Sequence, residues 1–244
     1  MLAFFHTIVY QPLYNILILF YNIIPGKDFG ISIILITVLL RTVLIPLYKK
    51  QIESQKKLQE LQPKIKALQE KTKGDKEQQT RQLMELYKEH KTNPFSGCLL
   101  VLIQIPIIFA LYYVFLKGIK IDSSMLYSFV HAPANVNMLF LGILDISQKG
   151  LIVLALLAGI SQYFQAVLMP KPATQNKDSK SFQDNLTSSM QTQMKYVFPF
   201  VIAFIAYSVS GAVALYWITS NIFAIGQQLY ANKKRKLALE AVNK

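Results

Sequence analysis

One basic side chain, Arg41, stands inside an otherwise uncharged apolar stretch, residues 29–48. A guanidinium stays protonated even in a poor solvent and can hold a carboxylate through two parallel hydrogen bonds. A charge at the middle of a bilayer costs about 2.5 kcal/mol or more, so such residues usually face a polar or hydrated interior. Arg41 is therefore a candidate for binding an acidic group without covalent chemistry. Alternatively its side chain extends to the membrane surface, because Tyr48 ends the stretch about 10 Å further along a helix.

Residue types that carry covalent or metal chemistry are scattered along the chain. His6, His90 and His131 fall in three separate regions, and Cys98 is the only cysteine. No His, Cys or carboxylate cluster has the spacing of a metal site or a catalytic group. The sequence thus predicts no catalytic residue, no metal ligand and no cofactor, and it argues against an enzyme.

Arg41 needs polar neighbours, because no Asp or Glu occurs in the long apolar stretches. Thr37 lies one helical turn before it on the same face. Each polar residue in the other stretches could simply hold helices together, but together they could line a hydrated cavity, which is the interpretation we favour. These residues are Gln104, Ser161, Gln162, Gln165, Tyr207, Tyr216, Thr219, Ser220 and Asn221.

The amino-acid composition indicates the class of protein in which these residues lie. The 244 residues are 52% apolar and 16% charged, with a net charge of +13, whereas soluble chains carry about a quarter charged residues. These values exclude a disordered tail, a collagen-like fibre and a disulfide scaffold. They leave a soluble nucleic-acid binder or a membrane protein whose charges lie in loops.

The charges avoid long stretches of the chain, which favours a membrane protein. Residues 29–48, 95–116, 150–169 and 196–230 contain only Arg41 as a charge, and the last is too long for one span of about 20 residues. Gly211 is the natural break within it. We therefore predict an all-α polytopic membrane protein with five transmembrane helices. The predicted segments are 1–28 (extracytoplasmic interfacial helix), 29–48 (span one), 49–93 (cytoplasmic helical hairpin), 94–116 (span two), 117–149 (extracytoplasmic loop), 150–169 (span three), 170–194 (cytoplasmic loop), 195–210 (span four), 211–230 (span five) and 231–244 (basic cytoplasmic tail).

The basic residues of the loops predict the orientation. Twenty-one lie on the side of the 49–93 segment and of the C-terminus, against four on the other side. Because basic loops remain in the cytoplasm, we expect a multi-pass plasma-membrane protein with its N-terminus outside and its C-terminus in the cytoplasm.

The N-terminal segment, residues 8–24, is apolar with a polar stripe. Gln11, Asn15 and Asn22 fall within ~40° of one another on a helical wheel. A one-sided stripe is typical of a helix in the membrane interface. The alternative is a sixth span, which would place the N-terminus inside. The segment lacks the basic start and cleavage site of a signal peptide.

Segment 49–93 has the pattern of an antiparallel helical hairpin broken at residues 73–75. Its apolar residues recur at spacings of three and four, which is typical of a two-helix contact: Leu58, Leu61, Ile65 and Leu68, then Leu83, Leu86 and Tyr87. Twelve basic and seven acidic residues cover it. They form either a solvated surface or a docking arm for ribosomal RNA or anionic lipid headgroups. The basic cluster 233–236 acts as a topology signal, and it is also a candidate ribosome contact.

Several motifs, in this order, resemble the YidC family of membrane insertases. They cover nearly the whole chain: residues 10–15 (YQPLYN), 29–34 (FGISII) leading into 40–42 (LRT), 61–65 (LQPKI), 93–98 (NPFSGC), 104–107 (QIPI), 110–113 (ALYY), 210–211 (SG), 215–217 (LYW), 220–221 (SN) and 227–228 (QQ). The loops 117–149 and 170–194 carry little of the resemblance.

The resemblance implies a five-span core around a hydrophilic groove that opens to the cytoplasm and to lipid. It places the groove arginine at Arg41, the preceding polar residue at Thr37, a third-span polar residue at Gln162 and an aromatic pair at Tyr216 and Trp217. The implied function is to receive nascent hydrophobic segments and release them into the bilayer, and to assist their folding. The implied partners are nascent membrane proteins, the ribosome, the secretion channel, the signal-recognition-particle receptor and the lipid bilayer.

Two other functions are weighed against insertion. A small transporter or channel usually has intramembrane carboxylates or inverted repeats of broken helices, and the sequence has neither. An assembly chaperone or a partner of the secretion channel, without insertion activity of its own, is compatible with the same residues.

Overall fold

A computed structural model of the chain describes residues 6–72, 74–90, 92, 108–109, 112–113, 123–168 and 192–242. The predicted second span, 94–116, lies almost entirely outside these ranges, as does most of the predicted loop 170–194. The chain divides into two compact units, one made of residues 1–43, 105–168 and 194–244 and the other of residues 44–104 and 169–193.

The described secondary structure is mostly helical. The helices are α1 (Gln11–Ile23), α2 (Phe29–Val43), α3 (Ile45–Lys71), α4 (Lys76–Glu89), α5 (Ile152–Leu168), α6 (Phe198–Ser208) and α7 (Gly211–Val242). Short π-helical turns, His6–Tyr10 and Gln193–Val197, precede α1 and α6, and Ser123–Met125 forms a single 3-10 turn. Two short strands, β1 (Leu139–Phe140) and β2 (Leu144–Asp145), pair antiparallel. The all-α expectation therefore omitted one small β-hairpin, whose strands are too short to show a periodic pattern.

In the first unit, α5 packs against α6 and α7, while α2 packs against α1 and α7. The contact between α5 and α6 is close at Gly159, where an added Cβ would lie 3.0 Å from the backbone oxygen of Pro199. The unit has one apolar core to which all five helices contribute, and Leu17, Ile33 and Ala158 are completely buried in it.

The start of α2 is held by a buried acidic residue, Asp28. Its Oδ1 accepts hydrogen bonds from the backbone amides of Gly30 (2.7 Å) and Ile31 (3.1 Å). Its Oδ2 accepts one from the backbone amide of Leu141, at 2.7 Å. The carboxylate thus satisfies the first free amides of α2 and also ties the β-hairpin to this helix.

The polar stripe of α1 faces residues 125–131, which are distant in sequence. The Asn15 Nδ2 donates to the Met125 backbone oxygen at 2.9 Å, and the Tyr127 backbone amide donates to the Asn15 Oδ1 at 2.7 Å. Gln11 donates to the same Met125 oxygen, and Asn22 donates to the His131 oxygen. The amide side chains therefore satisfy backbone groups of residues 125–131, a role that the helical wheel alone could not distinguish from contact with water. The position of α1 in the membrane interface stays a prediction.

The second unit contains α3 and α4. Leu61 and Ile65 of α3 and Leu83 of α4 are buried together, with Leu68, Leu86 and Tyr87 packed against them. Asp75 caps α4, since its Oδ1 accepts from the amides of Glu77 and Gln78. Of the apolar residues that were predicted to form the contact between the arms, all but Leu58 thus belong to this cluster.

Among the described residues, no single helix is both long and apolar enough to cross a membrane, whereas α2 and the first part of α3, Ile45–Ser54, meet this criterion when they are taken together.

Candidate functional site

Arg41 lies in the last turn of α2 and is 7% exposed, so its charge is buried within the protein. Thr37, one turn earlier, is fully buried, and its hydroxyl donates to the Ile33 backbone oxygen at 2.6 Å. Because this bond lies within α2, the Thr37 oxygen keeps a lone pair that can accept a further hydrogen bond.

One neighbour of Arg41 comes from α7. Tyr216, which is also buried, lies within electrostatic range of the guanidinium. Trp217, the next residue, is half-buried and packs against the apolar core. Tyr216 therefore lies in the apolar core near the charge, and Trp217 packs against the same core from a less buried position.

A second polar contact joins α7 to α5. The side-chain amide of Asn221 donates to the Ser161 Oγ at 3.1 Å and to the Gln162 Oε1 at 3.2 Å. All three side chains are buried. The Ser161 hydroxyl donates in turn to the Ala158 backbone oxygen at 3.0 Å. Asn221 therefore fixes the orientation of the Gln162 amide, since its oxygen must face Asn221 and its NH₂ group must face elsewhere.

Ser220 adds a polar atom between these two contacts. It lies one helical turn after Tyr216, and its Oγ is buried without a hydrogen-bond partner within the described part of the chain. Buried hydroxyls are ordinarily satisfied by protein or by ordered water. The Ser220 hydroxyl is thus available to a water molecule or to a polar group of a ligand.

The structure places the five predicted site residues in one unit, but in different surroundings. Arg41 and Thr37 lie on α2 with Tyr216 near Arg41, Gln162 bonds to Asn221, and Trp217 packs against the apolar core. Asn221 and Ser161 were predicted as polar residues that line a cavity, and Asn221 also as part of a family motif, but their contact was not predicted. Ser161 and Asn221 are 60 residues apart in the chain, and no sequence pattern predicts a contact over that separation.

These side chains can donate and accept hydrogen bonds and can attract an anion. Within the described residues, no group of three or more His, Cys, Asp or Glu is placed to hold a metal ion. The fold and the site thus define a mostly helical protein with a buried cation and buried amides among apolar helices.

Comparison with known proteins identifies the family. A family model described as the 60Kd inner membrane protein matches residues 19–238. The membrane protein insertase YidC of Fusobacterium nucleatum is 35% identical over 207 residues, which are 85% of this chain and 87% of that protein. The membrane protein insertase YidC of Pelobacter propionicus is 33% identical over 230 residues, which are 93% of this chain and 39% of that protein.

A solved structure has the same fold. The crystal structure of an active YidC insertase with its first transmembrane domain resolved aligns with a TM-score of 0.57 and 24% identity, over 89% of this chain and 46% of that one. The chain belongs to the YidC family of membrane protein insertases, and it is accordingly a membrane protein. It spans most of the Fusobacterium relative and less than half of the Pelobacter relative and of the crystallised insertase.

Proposed function

We propose that this chain receives nascent hydrophobic segments from the cytoplasm in a hydrophilic groove and releases them into the lipid bilayer without covalent chemistry. The observation that carries the proposal is the buried charge of Arg41 beside Tyr216 in a helical unit of an insertase-family member. A buried cation is suited to transient attraction of an anion.

The proposed groove is bordered by the two polar contacts of α7. Arg41, Thr37 and Tyr216 attract the polar tail that precedes a hydrophobic segment, and Gln162 and Trp217 contact the substrate further along. The unsatisfied Ser220 hydroxyl supports this assignment, because it implies water or a polar guest beside these residues. A hydrated path lowers the cost of moving the tail into the hydrocarbon, and burial of the apolar segment in lipid then drives its release.

The arrangement in the membrane is part of the same proposal. Five spans with the N-terminus outside and the C-terminus in the cytoplasm would bring the hairpin of α3 and α4 to the side where nascent chains emerge. The ribosome, the secretion channel and the signal-recognition-particle receptor are the proposed partners on that side, and many exposed basic residues of the hairpin support an acidic partner.

The test is insertion by the purified protein in liposomes of two single-span substrates that differ only in an acidic or a neutral tail. Arg41→Ala should reduce insertion of the acidic-tailed substrate by about tenfold, since hydrogen bonds to charged groups contribute about 1.5–3 kcal/mol. Arg41→Lys should restore part of it. Arg81→Ala is the matched control, because Arg81 is exposed and forms an ion pair with Glu85 one turn away.

The possible results are distinguishable. Equal loss for both tails in Arg41→Ala would contradict the attraction of the tail and leave insertion itself in place. Failure of the unmodified protein to insert either substrate, with the protein still folded, would contradict insertion and favour an assembly chaperone.

A further inference from the structure

The β-hairpin of β1 and β2 carries three exposed apolar side chains. Leu139 is 46% exposed, Leu141 62% and Ile143 85%. Turns of this kind ordinarily carry Gly, Asn, Asp or Ser. A single exposed apolar residue needs no explanation, but three within five residues form a patch that marks an interaction surface. We call these three residues the apolar tip.

Hydrogen bonds place this hairpin at one end of the helices of the first unit. The Phe29 amide, at the start of α2, donates to the Asn137 oxygen at 3.2 Å. The Gly211 amide, at the start of α7, donates to the Gln148 oxygen at 2.9 Å. The Gly150 amide donates at 2.8 Å to the oxygen of Tyr207, near the end of α6.

The position of the tip relative to the membrane follows from these bonds. Residues 137–150 lie where α2, α5 and α7 begin and where α6 ends. The apolar helices of a membrane protein lie within the hydrocarbon, and their ends reach the boundary with water. The tip is consequently held at that boundary, on the face where α2 begins.

Contacts with α2 and with the residue before it hold the hairpin that carries the tip. The Leu141 amide is bound by the buried Asp28 carboxylate at 2.7 Å. The ring of Phe140 packs so closely on α2 that a Cβ at Gly30 would lie 2.8 Å from its Cγ. Phe140 and the fully buried Ile146 therefore point inward, and the residues of the tip are left pointing away from the protein.

Leu141 also has a backbone conformation that is unfavourable for leucine. Its φ is +54°, and that of Gly142 is +71°. Positive φ at both positions is required in the tight turns of type I′, where Asn and Gly are usual. The turn thus has an exposed leucine at a position where Asn or Gly would fit the backbone better. This favours an apolar environment around Leu141.

The neighbouring surface matches a lipid leaflet. Ile152 and Val153, which open α5 shortly after the hairpin, are exposed and apolar, so the apolar surface continues along the helix. Lys149 lies between the hairpin and these two residues and is exposed. Its positive charge is attracted by lipid phosphates. The only acidic residue of this hairpin, Asp145, has its carboxylate bound by Ser147 and Gln148.

We propose that Leu139, Leu141 and Ile143 insert into the lipid leaflet on the membrane face where α2 begins, and so form a fixed lipid anchor at that end of the helices. The anchor depends on the chain being a membrane protein and not on the mechanism proposed for insertion. It is therefore testable whether or not Arg41 binds substrate.

The test uses the full chain in a Cys98→Ser background, reconstituted in phosphatidylcholine vesicles. An environment-sensitive fluorophore is attached at Ile143→Cys, or separately at Leu139→Cys. Met84→Cys is the matched control, since Met84 is an exposed apolar residue of α4, whose charged surface is predicted to lie in the cytoplasm. Lipids spin-labelled near the headgroup end of the acyl chain should quench the two tip positions several-fold more than position 84, while aqueous iodide should show the reverse.

Two results would overturn the proposal. One is equal quenching of the tip and the control by iodide, with matching thermal unfolding to show that the variants are folded. The other is an apolar signal that disappears when the protein is diluted in a large excess of lipid, because that would assign the tip to a contact with a second copy of the chain.

Discussion

The side-chain amide of Asn221 on α7 donates to the Gln162 Oε1 on α5 at 3.2 Å, and both residues are buried. The bond connects two helices through groups that would otherwise be costly to bury. It also determines which end of the Gln162 amide can meet a substrate. A predicted substrate-binding residue thus depends on a partner 59 positions away in the chain.

Replacement of Asn221 tests this dependence. Asn221→Ala leaves the oxygens of Ser161 and Gln162 without their donor, and it should lower the free energy of unfolding by about 0.5–2 kcal/mol. The measurement is unfolding of the detergent-solubilised protein. Thr219→Ala is the control, because the Thr219 hydroxyl donates within α7, to the Leu215 oxygen. Equal losses in the two variants would contradict a specific role of the bond between the helices.

Asp28 is expected to stabilise the start of α2 and the β-hairpin together. Asp28→Ala removes the cap and the bond to Leu141, and loss of a cap alone costs about 1 kcal/mol. Asp28→Asn keeps one oxygen for the amides of Gly30 and Ile31, but it presents an NH₂ group, which cannot accept, to the amide of Leu141. We expect the melting temperature to fall for both variants, further for Asp28→Ala. A melting temperature unchanged by Asp28→Ala would refute the role of this carboxylate.

Asp145 should make the stability of the β-hairpin depend on pH. The hydrogen bonds from the Ser147 hydroxyl, above all, and from its backbone amide lower the pKa of this carboxyl below its ordinary value of 3.8. A carboxyl with a lowered pKa stabilises the folded state above its unfolded pKa. That stabilisation is lost as the pH falls through the ordinary value toward the lower pKa of the folded state.

The comparison of the unmodified protein with Asp145→Asn isolates this effect. Their difference in melting temperature should be constant from neutral pH to about pH 5 and should shrink below that, since the unfolded pKa is about 3.9. Ser147→Ala should weaken the pH dependence of the melting temperature, because it removes the largest cause of the lowered pKa of Asp145. A difference that does not vary with pH would show that the carboxylate charge does not contribute.

The contact between α3 and α4 should depend on Leu83. This residue is 4% exposed and packs with Leu61 and Ile65. Leu83→Ala should destabilise the hairpin by about 2 kcal/mol, the low end for buried leucines, because so small a cluster can partly close the cavity. Hydrogen exchange should therefore accelerate in α3 and α4 and not in α5 to α7. Met84→Ala, at an exposed neighbouring position, should change exchange little, and equal acceleration by both would refute the contact.

Features that repeat locally were predictable from the sequence. The spacing of Leu61, Ile65 and Leu83 predicted the contact of the hairpin. For Arg41, the uncharged stretch left two alternatives, a polar interior or the membrane surface, and the residue is buried. The motifs around Arg41 and Tyr216 led to the family, and the family matches confirm it. The roles of Arg41, Thr37, Gln162, Tyr216 and Trp217 stay predictions.

The tertiary structure decided which distant groups meet. The polar stripe of α1 bonds to residues 125–131, Asp28 binds Leu141, and Asn221 binds Ser161 and Gln162. Hydrophobic periodicity and charge distribution depend on neighbours in the chain, so one sequence reveals them. A hydrogen bond between residues more than 50 positions apart depends on the packing of whole helices, and no periodic pattern records it.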